Sequence, residues 1–329
     1  MISPRVLAVC GRVAARAVFS AGGLDLASSI STSTRPFSTS LGHEGKSSEG
    51  VSSSPPPQSS PSSPLEGAIV RCAGFPKDLV KGPSSAREQF VYGDDACFVA
   101  HYKRTLVAGV ADGVGGWRKY GIDPSQFSKR LMRECEKRVS DGAFDPKRPE
   151  LIIAKAFKAA STPPRPIGSS TACVVVVSDY ALYSANLGDS GFVVVRDAKV
   201  IARSAEQTHY FNAPFQLTHP PEGFDGFIGD SALSAEVQHL KLTSGDIVIL
   251  ATDGLWDNLP EKLLLKELQA LSLSTCDVQE VCNSIALLAR RLAFDESHQS
   301  PFAIKAREHG LDYPGGKPDD ITIVLIVVQ

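Results

Sequence analysis

The sequence predicts an α+β domain built mainly of antiparallel sheets, and two observations carry that prediction. Short runs rich in valine and isoleucine follow one another at hairpin-length spacings, and the helical patterns come in pairs instead of alternating with strands. No internal repeat of solenoid or propeller period is present.

In chain order, strands are expected at Ala68–Cys72, Cys97–Tyr102, Leu106–Ala111, Ala172–Ser178, Ala181–Leu187, Phe192–Arg196, Ile247–Ala251 and Ile321–Val328, each bounded by Gly, Asp or Asn. Asp123-Pro124 reads as a helix start, and Phe127, Leu131, Cys135 and Val139 then fall on one face. A shorter helix follows over Leu151–Ala160. A second pair covers Glu261–Leu271 and then a helix opened by Asp277-x-x-Glu280, which turns Val281, Ile285, Leu288 and Leu292 inward. The segment Asp295–Pro318 has no clear helix or strand pattern; a long stretch of this kind is expected to shape the surface around a site.

Ahead of the domain, residues 1–40 carry Arg5, Arg12, Arg16 and Arg35 among serines and alanines, with Asp25 as the single acid. That composition, with apolar residues between the arginines, is expected of a mitochondrial transit peptide. Residues 41–67 contain the Ser/Pro-rich run Ser47–Pro64, which cannot bury apolar surface and reads as a disordered linker. Residues 68–329 remain, roughly 260 residues and enough for one large domain. Its partners must be inferred from a site, because 34 basic residues nearly balance 36 acidic ones and leave no one-signed field for nucleic acid or an anionic membrane. The seven cysteines lack any CxxC or Cys/His ligand spacing, as in a reduced compartment. No apolar run reaches the length of a membrane helix, so a soluble protein without a transmembrane segment is expected.

Four short acidic motifs stand at boundaries between strand and loop: Gly93-Asp94-Asp95-Ala96, Ala111-Asp112-Gly113-Val114-Gly115-Gly116, Ala251-Thr252-Asp253-Gly254-Leu255-Trp256-Asp257 and Pro318-Asp319-Asp320-Ile321-Thr322. Each alone is an ordinary turn. Together they place carboxylates where a rigid scaffold can converge them, and several carboxylates share a small site only when cations neutralise them. All-oxygen ligands favour magnesium or manganese over zinc. Two such ions roughly 3.5 to 4 Å apart suit in-line displacement at phosphorus, so phosphate-ester hydrolysis is the leading reaction.

These motifs, with Gly168-Ser169-Ser170-Thr171-Ala172 and Asn186-Leu187-Gly188-Asp189-Ser190-Gly191 between them, resemble the metal-dependent type 2C serine/threonine protein phosphatases from about residue 68 to the end. The resemblance implies a four-layer α/β/β/α sandwich with two central antiparallel sheets. It implies that Asp112 bridges two ions beside the Gly113 carbonyl, that Asp253 and Asp319 hold the first ion, and that Asp94 and Asp95 serve the second. Asp320 and Asp189 take supporting or structural places. The catalytic centre is thereby expected at Asp112 and Asp253, acting through a metal-activated water.

Three departures stand out. Asp94 replaces the more usual glutamate, Val114 stands where many members have a proton-donating histidine, and the phosphate-holding arginine would fall near Phe90, with Arg87 out of register. The phosphate-binding group is therefore unassigned, and His101 is a candidate proton donor only by proximity in sequence. Two further segments, Glu206–Leu217 and Ser300–Ala303 with Gly315–Pro318, resemble the mitochondrial branch related to the yeast phosphatase Ptc-seven. That branch implies the mitochondrial matrix, phosphorylated mitochondrial proteins including those of coenzyme Q biosynthesis as substrates, and the import machinery as a partner of the presequence.

Rival readings are a phosphatase-fold scaffold or adaptor, at the outer membrane in mitophagy control, and a small-molecule phosphatase using the same ions. Trp117, Trp256, Cys97 and Cys173 read as packing residues, and His209 and His219, without a third ligand, make a weak metal pair.

Overall fold

Two facing sheets form the centre of the protein, and why they face one another is written in their strands. The computed structural model describes residues 67–78, 91–223, 226–272 and 277–329. The expected transit peptide, nearly all of the expected linker, Arg87 and Phe90 lie outside these residues. The described part belongs to one compact unit, Pro64–Gln329.

The first strands are β1 (Ala68–Phe75), β2 (Val91–Tyr92), β3 (Asp95–Tyr102) and β4 (Thr105–Ala111), followed by helices α1 (Ser125–Ser140) and α2 (Pro149–Ala160). Next come β5 (Gly168–Ser170), β6 (Ala172–Ser178), β7 (Ala181–Leu187), β8 (Gly191–Arg196), β9 (Lys199–Arg203), β10 (Thr208–Tyr210), β11 (Ala213–Pro214), β12 (Leu217–His219), β13 (Glu236–Lys241) and β14 (Ile247–Ala251). The single helical turn α3 (Asp253–Trp256), helices α4 (Glu261–Ser272), α5 (Val278–Ala293) and α6 (Pro301–Glu308), and β15 (Ile321–Val328) complete the chain.

Among the described residues the larger sheets have the orders β13-β7-β6-β4-β3-β2 and β1-β15-β14-β8-β9, with antiparallel pairing throughout. Alternate residues of each central strand enter different layers. Val175 and Val177 of β6 face the other sheet, as do Val248 and Leu250 of β14 and Val324 and Ile326 of β15. Val174 and Val176 face α1 and α2, while Ile249, Ile323 and Leu325 face α4 and α5. Burial on both faces explains why these antiparallel strands read as continuous apolar runs. The result is the expected four-layer sandwich, helix pair, sheet, sheet, helix pair.

On α1, Phe127, Leu131, Cys135 and Val139 are buried as the periodicity required, and the Asp123 carboxylate receives the Ser125 amide at 3.1 Å. The Asp277 carboxylate caps α5 through the Gln279 amide at 3.1 Å. The buried stripe of α5 runs through Val281, Cys282, Ile285, Ala286 and Ala289, leaving Leu288 and Leu292 at its margin. The segment Asp295–Pro318, expected to lack regular structure, contains α6, whose Ser300 hydroxyl accepts the Ala303 amide at 3.0 Å. Strands β9 and β13 are sheet edges, and they escape the apolar pattern because Lys199 and Arg203 in the first and Glu236, Gln238, His239 and Lys241 in the second interrupt it.

A buried ion pair ties the foot of the second sheet. Arg196 of β8 reaches Asp246 with Nε and Nη2, each at 2.7 Å, and the Thr243 amide adds a third donor at 2.8 Å. Burial opposes ionisation of Asp246, yet these donors hold its pKa below the ordinary carboxylate value. Asp246→Asn is expected to lower the unfolding free energy at neutral pH by about 2 kcal/mol. Because the folded pKa is depressed, that deficit is full above the unfolded value of about 3.9 and shrinks as pH falls through the folded one. Urea titrations at a series of pH values check both size and trend. Leu250→Ala, which empties part of the layer between the sheets, should cost about 2–5 kcal/mol in the same assay.

Candidate active site

Antiparallel pairing alone brings the acidic motifs to one end of the sandwich. Ala96 at the start of β3 pairs with Ala111 at the end of β4, so Asp95 and Asp112 are neighbours across the ladder. Ala251 at the end of β14 pairs with Ile323 near the start of β15 and with Gly191 at the start of β8. Asp253, Asp319, Asp320 and Asp189 are thereby gathered at the matching end of the second sheet.

Local contacts then fix each motif. The backbone of Asp112–Val114 is locked to Ser169–Thr171 through Thr171 N to Asp112 O, Val114 N to Ser169 O and Asp112 N to the Thr171 hydroxyl, all at 3.0 Å. Gly254 has no room for a side chain, since a Cβ there would lie 2.0 Å from the Asp320 carbonyl. Gly93 is left-handed at φ 71°, and its Cβ would fall on the Asp320 carboxylate. That carboxylate receives the Asp94 amide at 2.8 Å and the Lys77 amide at 2.5 Å, which is how Asp320 supports the first motif. Asp95 joins the sheets: its Oδ2 accepts the hydroxyls of Thr252 at 2.8 Å and Thr322 at 2.9 Å.

Asp112 and Asp253 lie close enough for the charge of Asp253 to act strongly on Asp112. Burial, and then the charges of Asp253, Asp95, Asp319 and Asp189, push the Asp112 pKa well up. Asp95 and Asp189 are likewise raised, chiefly by burial. Asp320 is pushed up to about 7 by burial and by Asp319 and Asp94, against the two amides it accepts. Asp253 goes the other way, because Lys317 and Lys77 outweigh its burial.

Three basic residues with no assigned role in the sequence reading surround this cluster. Lys317 Nζ donates to Asp253 at 2.5 Å and to Asp257 at 2.7 Å, and lies 3.6 Å from Asp319. Lys77 Nζ stands 3.6 Å from Asp319. Arg118, from the 3-10 turn Gly115–Tyr120, grips both oxygens of Asp94. Asp257 had a sequence signal: it follows Asp253 by four residues, one helical turn, which puts both on the same side of α3. Lys317 gave none, since only the tertiary fold folds its loop back over the cluster.

Other candidates have separate places. His101 lies six residues along β3 from Asp95, about 20 Å away at strand rise, and cannot serve this site. His209 bonds Asp230 at 3.0 Å and stacks on Phe215. His219 stacks on Phe157 and bonds the Ser161 hydroxyl at 2.7 Å, so the two histidines make no metal pair. Trp117 is buried, donates to Ser169 Oγ at 2.7 Å and stacks on Phe227, supporting the second motif from below. Trp256 lines a cleft of about 460 Å³ that borders Asp189, with Arg203, Glu206, Glu261 and Lys305 at its walls. Cys97 and Cys173 are buried, with thiol pKa values pushed up.

The residues present suit a hard cation. Buried Oδ1 atoms of Asp95, Asp189 and Asp253 have no hydrogen-bond partner, and the donors are all oxygen. Among the described residues no group of three carboxylate, imidazole or thiolate side chains is arranged to hold a metal ion as it stands; the ammonium of Lys317 lies near Asp253 and Asp319.

Comparison with known proteins agrees with this arrangement. Residues 82–290 match the family model described as protein phosphatase 2C. The chain is 48% identical over 267 residues to the human protein phosphatase PTC7 homolog, covering 80% of this chain and 87% of that one. It is 43% identical over 324 residues to the Xenopus laevis PTC7 homolog, covering 97% and 96%. Among solved structures, the photosystem II phosphatase PBCP superposes with TM-score 0.68 at 28% identity, over 80% of this chain and 99% of that one. With its acidic motifs gathered at one end of such a sandwich, the chain belongs to the protein phosphatase 2C family, in its PTC7 branch, and is a protein serine/threonine phosphatase.

Proposed function

We propose that the enzyme hydrolyses phosphoserine and phosphothreonine with two divalent cations, Mg²⁺ or Mn²⁺, in the mitochondrial matrix. The observation that carries the metal reading is the convergence of the acidic motifs at one end of the two sheets, where the buried Oδ1 atoms of Asp95, Asp189 and Asp253 have no hydrogen-bond partner. In this reading Asp112 would be shared by both ions, with the Gly113 carbonyl beside it. Asp253 and Asp319 would hold the first ion, and Asp94 and Asp95 the second. Bound there, the ions supply an acidified water and the positive charge an in-line displacement at phosphorus requires.

The chain's own groups organise the rest. Thr252 and Thr322 aim Asp95, and Asp320 fixes the backbone of Asp94 and Lys77. Arg118 is half exposed beside Asp94, where its guanidinium can also meet a phosphate, and we assign it the phosphate-anchoring role. The cleft between Trp256 and α6 is suited to residues flanking the phosphoamino acid. The mitochondrial reading is supported by the arginines and single acid of residues 1–40. Enzymes of coenzyme Q biosynthesis are among the substrates we propose, on the branch resemblance alone.

Asp112→Asn and Asp253→Asn should each lower turnover of a phosphothreonine peptide by at least about a thousandfold while leaving the circular dichroism spectrum unchanged. Excess chelator should act equally, and full activity under either treatment would refute the two-cation mechanism. Arg118→Ala should raise KM for the same peptide about tenfold or more. For the cellular reading, a fluorescent protein carrying residues 1–40 should enter mitochondria, and mitochondria lacking the phosphatase should accumulate phosphoserine and phosphothreonine on matrix proteins.

A further inference from the structure

Lys317 sets an ammonium among three carboxylates of the acidic cluster. Its side chain is only 13% exposed, and Nζ touches Asp253 Oδ2 at 2.5 Å and Asp257 Oδ2 at 2.7 Å, with Asp319 Oδ2 at 3.6 Å. Its stem passes the Phe302 ring, with Nζ 5.0 Å from the centroid. The backbone is clamped: Lys317 N donates to Asn258 Oδ1 at 2.7 Å, and Asn258 Nδ2 donates to Lys317 O at 2.8 Å. Because Asn258 directly follows Asp257, the clamp sets the reach of the ammonium toward both aspartates. The chain cannot withdraw Lys317 without breaking that amide pair, yet the four-carbon side chain can rotate.

Two of the three carboxylates around this ammonium are those given above to the first cation, and the inference rests on that reading. Asp257 has no such role. It stands one helical turn beyond Asp253 on the same side of α3; its carboxylate accepts the Lys317 ammonium, and Lys305 adds a second, more distant positive charge. A divalent ion and an ammonium cannot share one face of Asp253, since like charges at that separation repel strongly in a dry site.

We propose that Lys317 is a resident counter-ion that holds Asp253 and Asp319 until a divalent cation displaces it, and that Asp257 retains the ammonium afterwards. The device lets the acidic cluster fold before any metal arrives, because one buried positive charge already offsets it. It also sets the threshold for loading: the apparent affinity for a cation is the intrinsic one reduced by the fraction of time the carboxylates are free. Lys317 acts through Asp253 and Asp319 and is a positioning residue.

Calorimetric titration of Mn²⁺ into the full chain, stripped with chelator, tests this in the wild type, Lys317→Met, Asp257→Asn and Asp253→Asn. Lys317→Met should bind about tenfold more tightly, and Mn²⁺ should raise its Tm more than that of the wild type. Asp257→Asn, which keeps the lysine and removes its retreat, should bind more weakly. Unchanged or weaker binding by Lys317→Met overturns the exchange and makes the lysine a fixed support of Asp253. Should that variant not fold without metal, unchanged or tighter binding by Asp257→Asn overturns it independently. Wild-type affinity in Asp253→Asn would instead sink the assignment of the cation site itself.

Discussion

Carboxylates brought together in a dry place must be neutralised, and the functional end of this protein is arranged around that requirement. Asp95, Asp112, Asp189, Asp253, Asp257, Asp319 and Asp320 meet at one end of a sandwich whose middle layer is valine, leucine and isoleucine. Each raises the proton affinity of its neighbours, and burial adds to the effect. The fold answers with three kinds of compensation. Hydroxyls of Thr252 and Thr322 stabilise Asp95, backbone amides stabilise Asp320, and Lys317, Lys77 and Arg118 supply charge. Among the described residues no basic side chain pairs with Asp112, the residue that the proposed reading has both ions share.

Positioning follows from the sheets. In an antiparallel ladder the end of one strand adjoins the start of the next, so motifs distant in sequence become neighbours without any long connection. The first sheet contributes Asp95 and Asp112, and the second contributes Asp253, Asp319 and Asp189. What unites the two halves is the pair of threonine hydroxyls on Asp95, reaching across from β14 and β15. The same threonines are themselves joined, since the Thr322 amide donates to the Thr252 hydroxyl at 3.1 Å. A site spanning two sheets in this way is as rigid as the core beneath it.

Much of this was legible from residue patterns, and the exceptions have definite causes. Strands buried on both faces announce themselves by unbroken apolar runs, as Ile321–Val328 does. The edge strands β9 and β13 do not, because charged and polar residues interrupt the apolar ones along both. Helix α6 is eight residues long and takes its stability from Phe302 and Ala306 packing and the Ser300 cap, which no periodicity over so short a window reveals. Its segment contributes Pro301 and Lys305 to the cleft and carries Lys317 to Asp253.

The sequence by itself determined the architecture and the acidic motifs, since alternation, turn residues and strand-end aspartates are local properties that a chain displays before it folds. Only the tertiary structure decided which of those aspartates are neutralised and by what. Lys317 on Asp253 and Asp257, Arg118 on Asp94 and the threonines on Asp95 are contacts between residues separated by 24 to 227 positions. Electrostatic partnership depends on distance in space and on exclusion of water, and neither is encoded in the spacing of letters. The expectation of aspartate-held cations therefore gains a counterpart that the motifs did not show, a lysine standing among those aspartates.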